Sequence, residues 1–330
     1  MMDEIPVQAA ELKPMSLSEL LDRTFKLYRN RFWLFCGLMV GPEIVRLTCS
    51  LIVIVTFPVG DLPTEPPDPE NPFAAFSALV PRLAAILASS FVALFVGGLA
   101  LGAVTVAVSE LYLGRGATIR GTYEAVRGRI FALFGLILVL MLVGMAYLAV
   151  GSLAGGFAGG IGVMATVSTS PVRGAIVLFL LVFVGVIGAF WLLMRYAVSV
   201  PAFMLERRSV TESLSRSGVL TQGNRNRIFV TVIVMYVVLL AFNFGLGLPF
   251  IILQQTYRVR GLFPLWIQIG QAISATVGST IAAPLLMIAI VLIYYDATVR
   301  KEGFDLQRLL DQLPPPAPGE SGATPEIAVS

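Results

Sequence analysis

The stretch Ile130-Phe-Ala-Leu-Phe-Gly-Leu-Ile-Leu-Val-Leu-Met-Leu-Val-Gly-Met-Ala-Tyr-Leu-Ala-Val-Gly-Ser152 holds 23 consecutive residues without a charge. A helix rises about 1.5 Å per residue, so this run is long enough to cross roughly 30 Å of hydrocarbon. Lipid offers no partner to a backbone N–H or C=O. Such a run is therefore a helix unless many strands close into a barrel, and the alternating segments of about ten residues that a barrel needs are absent. Working outward, five more runs of the same kind lie near 32–57, 83–109, 174–199, 228–253 and 270–295. The sequence thus predicts an all-α integral membrane protein with six transmembrane helices.

Composition agrees. Of 330 residues 57% are hydrophobic and 13% charged, against about 45–50% and 25% in soluble domains. A soluble enzyme, a disordered regulator and a nucleic-acid binder are excluded at once. There is no histidine, and the two cysteines, Cys36 and Cys49, stand 13 residues apart in one apolar run. On a helix they are separated by roughly 20 Å, too far for a disulfide and badly placed to share a metal. Zinc sites, Ser-His-Asp triads and Cys-His nucleophiles lose their parts. We expect no catalytic residue, no metal and no cofactor.

Basic residues between spans remain cytoplasmic, which fixes an expected orientation. Seventeen of the 23 Lys and Arg fall in residues 1–31, 110–129, 206–227 and 296–330. Only Arg82, Arg173, Arg258 and Arg260 fall in the alternate segments, where Asp61, Glu65, Asp68 and Glu70 stand among five prolines from Pro58 to Pro69. Both termini are expected in the cytoplasm. The opening residues carry Asp3, Glu4, Glu11 and Glu19 and do not resemble the basic start of a cleaved signal peptide.

The cytoplasmic segments repeat. Asn30-Arg31-Phe32-Trp33, Gly128-Arg129-Ile130-Phe131 and Asn226-Arg227-Ile228-Phe229 place arginines 98 residues apart, each after a short amphipathic segment and before two spans. The expected organisation is an N-terminal segment 1–15, a membrane domain 16–312 with repeats near 16–112, 118–208 and 211–310, and a disordered tail 313–330. Each repeat is a membrane hairpin preceded by an interfacial amphipathic helix. In the first such helix Ser16 and Glu19 have capping-box spacing. Leu17, Leu20, Leu21, Thr24, Phe25, Leu27 and Tyr28 then recur at three- and four-residue intervals. Arg31, Arg129 and Arg227 are candidate contacts to anionic headgroups, or else topology signals that snorkel.

Charges inside spans are costly and mark candidate sites. Glu43 and Arg46, at i and i+3 after Pro42, form either a self-neutralising pair or one wall of a polar cavity. Arg195 has no acidic neighbour within a turn; its expected partners are Glu110 and Asp296, which close the second and sixth spans. That network would either lock the hairpins together or line a pocket facing the cytoplasm. The glycine run from Gly151 to Gly162 reads as a broken or re-entrant segment, or as a flexible loop.

Four further stretches carry a resemblance: Ser16 to Phe32, Glu110-Leu-Tyr-Leu-Gly-Arg115, Arg195-Tyr-Ala-Val-Ser-Val-Pro-Ala-Phe-Met-Leu-Glu206 and Tyr294-Tyr-Asp-Ala-Thr-Val-Arg-Lys-Glu-Gly-Phe-Asp305. Together they resemble the membrane domain associated with bacterial glycerophosphoryl diester phosphodiesterases, over roughly residues 15–310. The resemblance implies a stand-alone membrane domain, because the catalytic barrel of that family needs about 250 further residues and histidines. The expected function is non-enzymatic: binding membrane lipids, through anionic headgroups, or organising partner proteins at the inner leaflet. A small transporter or channel with a cytoplasm-facing polar pocket is the rival reading.

Overall fold

The computed structural model describes residues 15–58, 72–166, 171–258 and 264–312. Most of the N-terminal segment, the acidic residues Asp61 to Glu70 and the tail 313–330 lie outside them. Every regular element among the described residues is a helix. In chain order these are α1 Leu17–Asn30, α2 Phe32–Thr56, α3 Pro72–Tyr112, α4 Ile119–Arg127, α5 Ile130–Thr166, α6 Pro171–Leu193, α7 Ser199–Leu205, α8 Val210–Thr221, α9 Arg225–Arg258 and α10 Leu265–Gln312. Six stretches within them are long and apolar enough to cross a membrane, in α2, α3, α5, α6 with α7, α9 and α10.

The long helices pack α2 on α3, α5 on α6 and α9 on α10, and α10 also lies against α2, α1 and α3. Small side chains make the centre close. Ala100, Ala103, Val104 and Ala107 of α3 are wholly buried beside Leu38 and Met39 of α2 and Ile288, Ala289 and Leu292 of α10. The outer faces show the inverse pattern, with Leu153, Phe157, Phe179 and Val184 of α5 and α6 more than 60% exposed. In water such a surface would aggregate; in lipid it is the solvated side.

The first short helix departs from an interfacial position. Leu20, Thr24 and Tyr28, four residues apart, form the buried stripe of α1. Met15 N donates to Asp296 Oδ1 at 2.7 Å, and Tyr28 Oη donates to Ile281 O at 2.5 Å. Those two α10 residues are about 22 Å apart along a helix, so α1 runs lengthwise against α10 and its apolar stripe is covered by protein, not by acyl chains. Phe25, counted with that stripe, is 43% exposed. The capping box at Ser16 is half made: its hydroxyl accepts Glu19 N, while the Glu19 carboxylate turns to Arg23. The complete box is at Ser209 and Glu212, opening α8.

One interruption carries meaning, and one expected interruption is absent. Between α6 and α7 the chain makes one 3-10 turn at Met194–Tyr196. Pro201 in the first turn of α7 has no N–H for Ala197 O and crowds it, which breaks the helix there. The glycine run, in contrast, does not break: α5 continues through Gly151, Gly155 and Gly156 to Thr166. Loop and re-entrant readings both give way because these glycines meet a neighbour. A methyl on Gly151 would stand 2.6 Å from Gly185 O and one on Gly155 2.5 Å from Leu181 O, so α5 and α6 touch backbone to backbone.

Candidate functional site

Most of the charge on the described helices gathers at one end of the bundle, where α1, α7 and α8 meet α10 and α4 packs on α3. Two carboxylates organise it. Asp296 on α10 is 6% exposed. Its Oδ2 accepts Arg227 Nη1 at 2.8 Å and Arg300 Nε at 2.9 Å, and its Oδ1 takes Met15 N. Both guanidinium groups also donate to Met15 O. One buried carboxylate thus ties the start of α1, the start of α9 and the 296–300 turn of α10 into a single charge-assisted knot. The void beside it measures only about 10 Å³, room for one water at most.

The second carboxylate, Glu206, ends α7. It accepts Arg216 Nε and Tyr294 Oη, each at 2.9 Å, and pairs with Arg208; Arg216 also pairs with Glu302. Burial pushes the Glu206 carboxyl up, but the hydrogen bonds from Arg216, Tyr294 and Arg208 outweigh it and hold the group below its ordinary 4.5. A carboxyl depressed in the folded state binds its proton more readily when unfolded. Its stabilisation is complete above about pH 4.5 and is lost as pH falls through the folded value. The melting temperature of wild type minus that of Glu206→Gln should therefore be level from pH 8 to 5 and shrink in more acid solution. A difference that persists undiminished at the acid end would show that Glu206 holds the fold by shape and not by charge.

The predicted site residues fall into three groups. Asp296 and Glu110 do not meet Arg195. Asp296 is taken by Arg227 and Arg300, and Glu110 has Arg115 at 3.8 Å. The side chain of Arg195 is exposed and lies over the ring of Tyr196 at 5.8 Å. What the turn at Arg195 does supply is a carbonyl, freed by the helix break and satisfied by Ser217 Oγ at 2.8 Å and by Thr221 Oγ1. The physical reason for the correction is that the 3-10 turn rotates residue 195 out of the helical phase that would aim it at the bundle.

The three repeat arginines also divide. Arg129 donates Nη1 to Phe203 O at 2.6 Å and Nη2 to Arg208 O at 2.5 Å, with its carbon 4.0 Å above the Phe203 ring. It closes the C-terminal end of α7, where unpaired carbonyls favour a cation. Arg227 is held by Asp296. Both are internal braces, each fixed to the returning helix of its own repeat, and neither is placed as a headgroup contact. Arg31 is exposed; the brace of its repeat is Arg23, which donates to Tyr112 Oη at 3.2 Å.

Glu43 and Arg46 are brought together, Arg46 Nε donating to Glu43 Oε2 at 2.6 Å, with Thr276 Oγ1 3.4 Å from Arg46 Nη2. Reading the sequence missed Glu206, Arg216, Tyr294 and Arg300 as members of the network. The available signal was the recurrence of an acid at 110, 206 and 296 on each returning helix, which marks the hub position without naming its partner.

Around these braces lies a rim of exposed cations. Arg29, Arg31, Arg127 and Arg207 are exposed and make no ion pair among the described residues. Arg207 joins α7 to α8 in the left-handed region at φ 52. Beside the rim, Trp33 is 84% and Phe131 89% exposed.

Residues 172–312 match the family described as the membrane domain of glycerophosphoryl diester phosphodiesterase. That range contains the 195–206 and 294–305 motifs and both carboxylate hubs; the 16–32 and 110–115 motifs lie before it. No curated protein matches the chain, and no solved structure does.

Proposed function

We propose that this chain, which carries that membrane domain, is a non-catalytic module of the bacterial plasma membrane with both termini in the cytoplasm. Its three repeats act as membrane hairpins whose short leading helices are clamped by Asp296, Glu206 and Arg129 into a rigid cytoplasmic collar. The rim of the collar binds anionic headgroups of the inner leaflet. The observation that carries this reading is the pairing of unneutralised Arg29, Arg31, Arg127 and Arg207 with the exposed aromatics Trp33 and Phe131. Amphipathic rings seat at headgroup depth, and each basic residue near an anionic surface contributes about 1 kcal/mol. A cytoplasm-facing pocket for a solute is not favoured, since the space beside Asp296 admits no more than one water.

The test is native mass spectrometry of the full chain extracted gently from its own membrane. Wild type should retain acidic phospholipid well above its bulk fraction. A variant with glutamine at Arg29, Arg31, Arg127 and Arg207 should lose that enrichment several-fold while melting as wild type does. An identical lipid profile in the two proteins would refute headgroup binding by the collar. Retention of a protein partner in place of lipid would assign the rim to scaffolding.

A further inference from the structure

At the opposite end of the bundle an open, groove-like cavity of about 400 Å³ lies between α2, α3, α9 and α10, within the size range of small-ligand sites. Its polar lining comes from all four helices: Arg46 and Ser50 on α2, Arg82 and Ser89 on α3, Gln254 on α9 and Gln271 on α10. Arg46 sits ten residues before the end of α2 at Thr56, about 15 Å down the helix. Arg82 and Gln254 stand within four residues of the ends of their spans at Leu79 and Arg258. Arg46 is therefore the floor of the cavity and Arg82 and Gln254 are its mouth.

The chemistry of this lining is lopsided. Guanidinium, amide and hydroxyl groups supply many donors, and among the described residues the carboxylate beside the lining is Glu43, which stands behind Arg46 and neutralises it. Arg82 makes no ion pair among the described residues, so the described lining carries one net positive charge. An arginine near the middle of a span costs on the order of 2.5–3.5 kcal/mol by insertion scales, and ionisable groups within membranes gather where they serve a polar ligand or path. The Arg82 fork and the edge of the Arg46 guanidinium that Glu43 leaves, entering from different helices and depths, suit a tetrahedral oxyanion, which offers oxygens in several directions, better than a planar carboxylate.

We propose that this cavity binds a singly charged oxyanion of the phosphate class, held between Arg82 at the mouth and Arg46 at the floor and oriented by Gln254 and Gln271. The same group is available as a free phosphodiester and as a lipid headgroup, and the cavity is placed to receive either. The site is independent of the collar: it lies between the far halves of α2 and α3 and shares no residue with the arginine rim, so each reading can fail alone.

Two probes distinguish the sources. The full chain in dodecyl maltoside, which contains no phosphate, is titrated with dimethyl phosphate and followed by phosphorus NMR line broadening. In parallel, the chain in nanodiscs of phosphatidylglycerol and phosphatidylcholine is assayed by mass spectrometry for lipid that survives delipidation. Saturable dimethyl phosphate binding that weakens at least tenfold in Arg82→Gln establishes a soluble ligand. Retained phosphatidylglycerol that Arg82→Gln releases, without dimethyl phosphate binding, establishes a headgroup. Removing Arg46 alone would strand Glu43, so the floor is tested with the neutral pair Glu43→Gln and Arg46→Gln, which should also weaken binding about tenfold. No binding of either probe, or binding indifferent to Arg82 and Arg46, overturns the proposal.

Discussion

Replacing Asp296 with asparagine should lower the stability of the chain in detergent by about 3 kcal/mol, the range for removing one member of a buried ion pair. The carboxylate accepts from two guanidinium groups and one backbone N–H. An amide in its place turns an N–H toward cations that can only donate. The Arg227 and Arg300 side chains are 20% and 32% exposed, which lets water relieve part of the loss and keeps the figure at the lower end of the range. Because the knot joins α1, α9 and α10, the loss should also expose α1. Limited proteolysis should then cut the chain near α1 in the variant and leave wild type intact. Arg195→Gln is the control. Its side chain is exposed, makes no ion pair among the described residues and lies against the Tyr196 ring and the backbone of Gly218, so its melting curve should lie within about 0.5 kcal/mol of wild type. If Arg195→Gln melts early and Asp296→Asn does not, the assignment of partners given above is wrong, and Arg195 is the true counter-ion.

Gly185→Ala should separate α5 from α6. The added methyl would lie 2.2 Å from Gly151 O, and a methyl on Gly151 2.6 Å from Gly185 O. Real carbon atoms do not approach a carbonyl so closely. The obstructing atoms are backbone and cannot swing aside, so the helices must move apart and forfeit close packing along their contact. Overpacking of this kind costs about 1–3 kcal/mol. Gly156→Ala and Gly188→Ala have open space around the new methyl; they should be neutral or slightly stabilising, since alanine is the better helix former. Thermal unfolding of Gly151→Ala, Gly185→Ala, Gly156→Ala and Gly188→Ala decides it. Equal behaviour of all four would mean that α5 and α6 are not held by this crossing.

These two sites show where reading along the chain succeeds and where it stops. The six spans were legible because hydrophobicity adds up locally and a helix satisfies its own backbone, whatever its neighbours do. Glu43 and Arg46 were legible as a pair for the same reason, since i and i+3 on one helix are neighbours before any folding. The glycine run misled. Gly151 and Gly155 are four residues apart, the spacing of a packing face, but composition alone makes such a run look like a loop until Gly185 is found opposite. Arg195 misled in another way: its phase was extrapolated along a continuous helix, and Pro201 had already broken that helix. Arg129 and Arg227 stand in the same place in the repeat as Arg31, yet two are half-buried braces and one is exposed. No local property distinguishes them.

The sequence by itself determined the solvent, the secondary structure and the position of an acid on each returning helix. Each of these depends on energies that are sums over neighbouring residues. Only the tertiary structure decided which guanidinium meets which carboxylate, and that Arg82 and Arg46 face one cavity. An arginine side chain is long and flexible, and helices can rotate and slide by several ångströms at little local cost. Partners are therefore chosen by the depth and rotation of whole helices, quantities set by the packing of α3 and α10 at the centre and recorded at no single position in the chain.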